Sequence, residues 1–220
     1  GMVRWVLCVL AVAAADSPAK PVFDYTFAAN CPVCRSYGNS TLKELFDTPG
    51  VAEGVDFQMH LAIRKGFAGY QCVSEAPGCP MTRYFLCAQH MANSSKSMAP
   101  LMAFVTCFNS QPSVKPLDAA TLEQRAKSCS DGAFTWADLS TCYSQEGEKL
   151  QEEAERYFTT RYPEFSHAGF GPFGVPHVYI NGLEVGPKGW AEKVDYDHTL
   201  KLLCDAGLQS EKCTETTLLV

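Results

Sequence analysis

The stretch "PVFDYTFAANCPVCRSYGNSTLKELFDTPG", residues 21–50, changes its hydrophobic period at a pair of cysteines. From Pro21 to Ala28 large apolar residues alternate with Asp24 and Thr26, the period-two signature of a strand. After Cys31, Pro32 suits a first helical position, where its missing N–H is no loss. Tyr37, Leu42, Leu45 and Phe46 then form a helical stripe that stops before Pro49-Gly50. Cys31 and Cys34 therefore stand at a strand-to-helix junction. There the unpaired N–H groups and the helix dipole favour an anion at Cys31, which is expected to be exposed and reactive. Cys34, one turn on, is drawn toward the core with Gly38, Leu42 and Leu45, placed to resolve a mixed disulfide formed by Cys31. The spacing alone also fits half of a zinc site or one anchor of a disulfide framework.

The redox compartment decides among these. Arg4 precedes an apolar run, Trp5 to Val12, and the small residues Ala13-Ala14-Ala15, the pattern of a cleaved secretory signal too short to span a bilayer. Residues 1–15 are thus expected to be a leader and 16–220 one domain. Of eleven cysteines, Cys8 leaves with the leader and ten remain. Beyond Cys31 and Cys34 these are Cys72, Cys79, Cys87, Cys107, Cys129, Cys142, Cys204 and Cys213, enough for four structural bridges. Their pairing is open, except that Cys79 and Cys87, read as lying on one helix, would be about 12 Å apart and too distant to bond. Loss of Arg4 leaves a net charge near −7 with no block of like charge, which argues against a nucleic-acid surface. No later run reaches the length of a membrane span, so no membrane contact is expected after signal removal. A zinc module would need two further ligands, and His60, His90, His167, His177 and His198 show no paired metal-ligand spacing.

A second strand is expected at Val55–Ile63. From about residue 66 to 132 loops give way to helical periodicity, with stripes Met81, Tyr84, Phe85, Ala88 and Leu101, Phe104, Val105, Phe108. One long helix is expected over Tyr143–Arg161, with Leu150, Ala154, Tyr157 and Phe158 inward. Strands at Val178–Asn181 and Leu183–Val185 meet through Asn181-Gly182, a strong hairpin turn signal, and a helix over Val194–Cys204 closes the chain. This order predicts an α/β, thioredoxin-like fold with an inserted, disulfide-stapled helical region at about 66–132. In such a fold Pro176 in "GVPHVYING" would be a cis-proline facing the nucleophile, exposing the backbone near Val175 to an extended substrate segment.

On these residues the chain resembles the gamma-interferon-inducible lysosomal thiol reductases. The likeness rests on Cys31-Pro32-Val33-Cys34, on Val175-Pro176-His177-Val178-Tyr179-Ile180-Asn181-Gly182, and on the spacing of Cys72, Cys79 and Cys87. It departs where "VSEAPG" fills the Cys72–Cys79 interval and Thr82 replaces an asparagine. The resemblance implies reduction of protein disulfides in an acidic, lysosome-like or extracellular compartment. Its partners would be disulfide-containing proteins and a small-molecule thiol or other reductant, with no cofactor. At pH 5 a thiol of pKa 8.5 is only about 0.03% ionised, so such a workplace requires a strongly lowered Cys31 pKa. A disulfide oxidase or isomerase, and a noncatalytic disulfide-rich binding domain, are the alternatives. Asn39 and Asn93 begin sequons compatible with N-glycosylation.

Overall fold

The computed structural model describes residues 19–95, 97–111, 116–166, 172–185 and 195–217. The expected leader and Cys8 lie outside the described residues. Strand β1 (Val22–Phe27) forms where the alternation predicts, and it is an inner strand of the sheet. It pairs in parallel with β2 (Asp56–Leu61) and antiparallel with β5 (His177–Ile180), which pairs in turn with β6 (Leu183–Glu184). Phe23, Tyr25 and Phe27 fill one face, and on the other Thr26 is also fully buried, its hydroxyl accepting from Tyr162 Oη at 3.2 Å. Parallel neighbours need a crossover. It is supplied by α1 (Pro32–Tyr37), a π-helical segment Gly38–Leu42, α2 (Lys43–Asp47) and the short α3 (Val51–Gly54). The β5–β6 turn is made by Asn181 and Gly182 at φ 50° and 78°, the two positive values a type I′ hairpin needs.

The order strand, helix, parallel strand, then antiparallel hairpin and α9 (Tyr196–Asp205) is a thioredoxin-like fold. Inserted into it is a helical region stapled by disulfides. A two-stranded hairpin, β3 (Arg64–Gly66) and β4 (Gly69–Gln71), leads into α4 (Pro80–Ser95), α5 (Ala99–Ser110), α6 (Ala119–Ser130), α7 (Trp136–Gln145) and α8 (Gly147–Arg161). Phe85, Phe104 and Phe108 pack with ring centroids 5.0–5.6 Å apart, and Phe27 of β1 meets Phe85 at 6.1 Å. Sheet and helices therefore share one core.

Several elements differ from the sequence expectation. The β3–β4 hairpin lacks a strong alternating pattern, and α6 buries only Leu122, Ala126, Cys129 and Ser130, too small a stripe to stand out. The expected helix over 143–161 is two helices that break at Glu146. The break lets Arg83 pass across Gly147, where an added Cβ would lie 2.6 Å from the Arg83 side chain. Phe158 of α8 is fully buried as expected, but so is the polar Gln151, which accepts from Arg83 Nε and Nη2 while donating to the Gly78 and Cys79 carbonyls. Cys79 has φ 54° and stands just before α4 rather than within it. The eight framework cysteines pair as Cys72–Cys79, Cys87–Cys142, Cys107–Cys129 and Cys204–Cys213; the last joins α9 to α10 (Glu211–Thr217).

Candidate redox site

Cys31 and Cys34 are the free cysteines among the described residues. Cys31 is the N-cap of α1, with extended dihedrals (φ −75°, ψ 124°), and Pro32 occupies the first helical turn. Its N–H is held by the Ala28 carbonyl at 3.1 Å, and its carbonyl accepts from Arg35 N at 2.9 Å, so the turn from β1 into α1 is fixed on both sides. The expectation of an exposed Cys31 needs correction: the side chain is only 7% exposed, whereas Pro32 beside it is open to solvent. Cys34 is buried as expected, its sulfur accepting from Ala28 N–H at 3.5 Å.

The two thiols are electrostatically unequal. The hydrogen bond from the Cys34 thiol lowers the Cys31 pKa most, burial opposes it, and the N–H groups of Cys34 and Val33 lower it further, bringing it to about 6. The first-turn amides thus contribute, but the neighbouring thiol contributes more. Burial pushes the Cys34 thiol well above its ordinary value, and its interaction with Cys31 adds to this. At pH 7 Cys31 is therefore mostly thiolate and Cys34 is thiol, a pair in which one sulfur can attack and the other holds a proton.

Val175 and Pro176 reach this end of the sheet through register. Thr26 pairs with His177, so continuing the antiparallel ladder sets Pro176 opposite Phe27 and Val175 opposite Ala28, the residue bonded to Cys31. The Val175–Pro176 bond is cis. Gly174 has φ 66° and lies so close to the Phe165 ring that a Cβ would sit 2.3 Å from it. His177 is a packing residue: it stacks on Tyr162 at 4.4 Å, its Nδ1 lies 3.4 Å from Glu184, and burial lowers its pKa. Asn39 and Asn93 are exposed, on the π segment and α4 respectively.

Four residues the sequence reading passed over support the pair. Tyr25, buried beneath it, donates its hydroxyl to the Cys34 carbonyl at 3.1 Å. Arg35 carries a buried guanidinium that donates to the carbonyls of Phe108, Asn109 and Gln111, closing the C-terminus of α5, and to Asn30 Oδ1 at 3.4 Å. Asn30, fully buried, donates to the Ser74 carbonyl at 2.6 Å, so the Cys72–Cys79 loop is tied to the residue before Cys31. In the same loop Glu75 accepts from Met81 N, Thr82 N and Thr82 Oγ1 at 2.9, 3.0 and 2.5 Å, capping α4. A charge directly after Cys34 was the available signal for Arg35; the rest depends on contacts between residues far apart in the chain. No group of three His, Cys, Asp or Glu side chains among the described residues could hold a metal ion.

No known protein-family profile and no curated protein sequence matches the chain. Solved structures do. It superposes on DsbA from Chlamydia trachomatis with a TM-score of 0.54 at 13% identity, covering 87% of each chain. BdbD from Bacillus subtilis, in its oxidised form, gives 0.53 at 14%, over 86% of this chain and 88% of that one. DsbL from Salmonella enterica serovar Typhimurium gives 0.53 at 13%, over 88% and 91%. At these identities the likeness is one of fold, a thioredoxin-like domain with an inserted helical region. It overturns the resemblance to the lysosomal thiol reductases: the neighbours are DsbA-like, and no sequence family supports the other assignment. The lysosomal compartment loses its support with that resemblance, and the glycosylation expected at the two sequons gains none.

Proposed function

We propose that the protein is a thiol–disulfide oxidoreductase of protein substrates whose Cys31–Cys34 pair works in the oxidising or isomerising direction. The observation that carries this reading is the Cys31 thiol, lowered to about 6 by the Cys34 thiol and the first-turn amides. A thiolate stabilised in the dithiol form makes that form easier to reach, so the disulfide is a better oxidant than an ordinary cysteine pair. The reducing direction expected from sequence would also gain attacking thiolate from a lowered pKa, but the stabilised dithiol makes the pair a weaker reductant.

In the forward reaction a substrate thiolate attacks Cys31 of the Cys31–Cys34 disulfide, and Cys34 leaves and takes up a proton. A second substrate thiolate then attacks the mixed disulfide at the substrate sulfur, releasing Cys31 as the thiolate and an oxidised substrate. The strand-like backbone at Val175, beside the cis Pro176, supplies a sequence-tolerant edge for the substrate segment. The dithiol must be reoxidised by a disulfide such as that of glutathione, in place of the thiol reductant that reduction would require. Four structural bridges suit a compartment outside the reducing cytosol.

The test is the reduction potential in glutathione buffers, together with disulfide transfer to a reduced, unfolded protein. A Cys31 pKa between those of thioredoxin and DsbA places the potential between theirs, at roughly −200 mV. A value below about −270 mV would remove the oxidising direction. Failure to exchange disulfides at all would remove the oxidoreductase reading.

A further inference from the structure

In the reverse direction, in which the dithiol opens a substrate disulfide, Cys34 resolves the mixed disulfide only if it loses its proton, yet its thiol is the harder of the two to ionise. Among the described residues, the groups acting on its ionisation are Cys31, the Ala28 N–H and its own N–H, and its charge in turn bears on the Tyr25 hydroxyl. The leaving substrate sulfur is then a productive destination for the proton. As Cys34 Sγ attacks Cys31 Sγ, the Cys31–Cys34 bond forms and the bond from Cys31 to the substrate sulfur breaks. The substrate sulfur leaves with the electron pair and takes the Cys34 proton. Such a concerted transfer depends on the Cys34 sulfur being held in line with Cys31.

Orientation of Cys34 is set through its backbone. Its carbonyl accepts from Gly38 N–H at the end of α1, and from Tyr25 Oη at 3.1 Å on the strand side. This is the point at which the helix widens into the π segment Gly38–Leu42, where regular α-helical bonding no longer fixes the turn. The Tyr25 ring is itself clamped, stacked on Phe27 at 4.8 Å and 6° and packed on Tyr37 at 5.3 Å. We propose that Tyr25 is a positioning residue for the resolving step, its hydroxyl holding the Cys34 turn so that the buried thiol stays aligned with the mixed disulfide at Cys31. The inference rests on the oxidoreductase reading and adds to it a residue that distinguishes resolution from attack. Burial pushes the Tyr25 hydroxyl well above its ordinary value, so it remains a donor throughout the working pH range.

The experiment follows a single turnover of the reduced full-length protein with a peptide containing one disulfide, quenched in acid and read by mass. Growth of the adduct reports attack by Cys31, and its decay reports resolution by Cys34. Tyr25→Phe keeps the ring and removes only the hydroxyl. It should leave attack within twofold of the parent and slow resolution about fivefold to tenfold, the scale of one net hydrogen bond, by the same factor at pH 6 and pH 8. Phe27→Leu, which disturbs the same ring stack without touching the hydroxyl, should lower the melting temperature but keep the ratio of the two rates. Unchanged resolution in Tyr25→Phe, or attack and resolution falling together in both variants, would overturn the role of Tyr25. If the parent protein forms no adduct, the oxidoreductase reading falls and the positioning role falls with it.

Discussion

The unequal thiols are the feature with the sharpest chemical consequences. Cys34→Ser should accumulate mixed disulfides through Cys31 on a nonreducing gel, whereas Cys31→Ser should trap little and exchange nothing; equal trapping by both would reverse the assigned roles. Because the Cys34 thiol is the largest influence on Cys31, Cys34→Ala should raise the thiolate midpoint, followed by ultraviolet absorbance, from about 6 toward the ordinary cysteine range. Cys34→Ser, which keeps a donor, should move it less. The linkage is signed by the lowered pKa: the stability Cys31 gives the dithiol form is fully present above the unfolded pKa near 9 and is lost as pH falls through about 6. The melting temperature of the reduced form, less that of the oxidised form, should therefore climb from pH 5 to pH 8. Sequence pointed to Cys31 as the attacking sulfur, because a proline-led helix after a strand is a local pattern. It could not show that Cys31 is nearly enclosed or that Tyr25 and Asn30 brace the turn, since those contacts join positions 9 and 44 residues apart.

Among the elements, the junction of the sheet and the helical region depends on two charged side chains that the hydrophobic pattern hides. Arg35 lies buried on α1 and satisfies carbonyls that α5 leaves without helical partners. Arg35→Ala should cost about 3 kcal/mol in urea unfolding, the scale of a buried charged hydrogen-bonding group lost from its partners. Glu75 acts in the opposite electrostatic sense at the start of α4. Burial raises its pKa to about 7 while its hydrogen bonds to Met81 N, Thr82 N and Thr82 Oγ1 oppose the rise. A carboxyl whose folded pKa is raised stabilises the fold fully below its unfolded value near 4.5, and that stability is lost as pH climbs through about 7. Between those limits the difference is on the order of 3 kcal/mol, and Glu75→Gln should flatten the stability profile between pH 5 and pH 8. A profile unchanged by the substitution would show that Glu75 is not the group responsible. The helices themselves were legible where stripes were aromatic, as in α4 and α5, and illegible where small residues and caps carried the element. In α6, the side chain of Asp118 bonds Thr121 N, and in α7 that of Thr135 bonds Asp138 N.

Across the whole molecule, the four bridges divide the work of stabilisation by the length of chain they close. Eight framework cysteines were countable in the sequence, but their connectivity was not, because pairing is decided by which helices pack together rather than by spacing along the chain. Cys87–Cys142 joins α4 to α7 across a separation of 55 residues, Cys107–Cys129 joins α5 to α6 across 22, and Cys72–Cys79 closes only 7. In the chain-entropy account these correspond to about 4, 3.5 and 2.5 kcal/mol at 25 °C. Replacing each pair by alanine should lower stability in that order when measured by urea unfolding of the otherwise oxidised protein. The Cys72–Cys79 variant should stand apart in function. Its loop supplies the Ser74 carbonyl held by Asn30, next to Cys31, and the Glu75 cap of α4, so loosening it disturbs the redox turn more than its small stability cost implies. The expected result is a shifted Cys31 thiolate midpoint in Cys72→Ala/Cys79→Ala and an unchanged one in Cys87→Ala/Cys142→Ala, despite the latter's greater loss of stability. If the midpoint instead followed stability across the three variants, the loop would be one staple among several, with no particular hold on the thiol it borders.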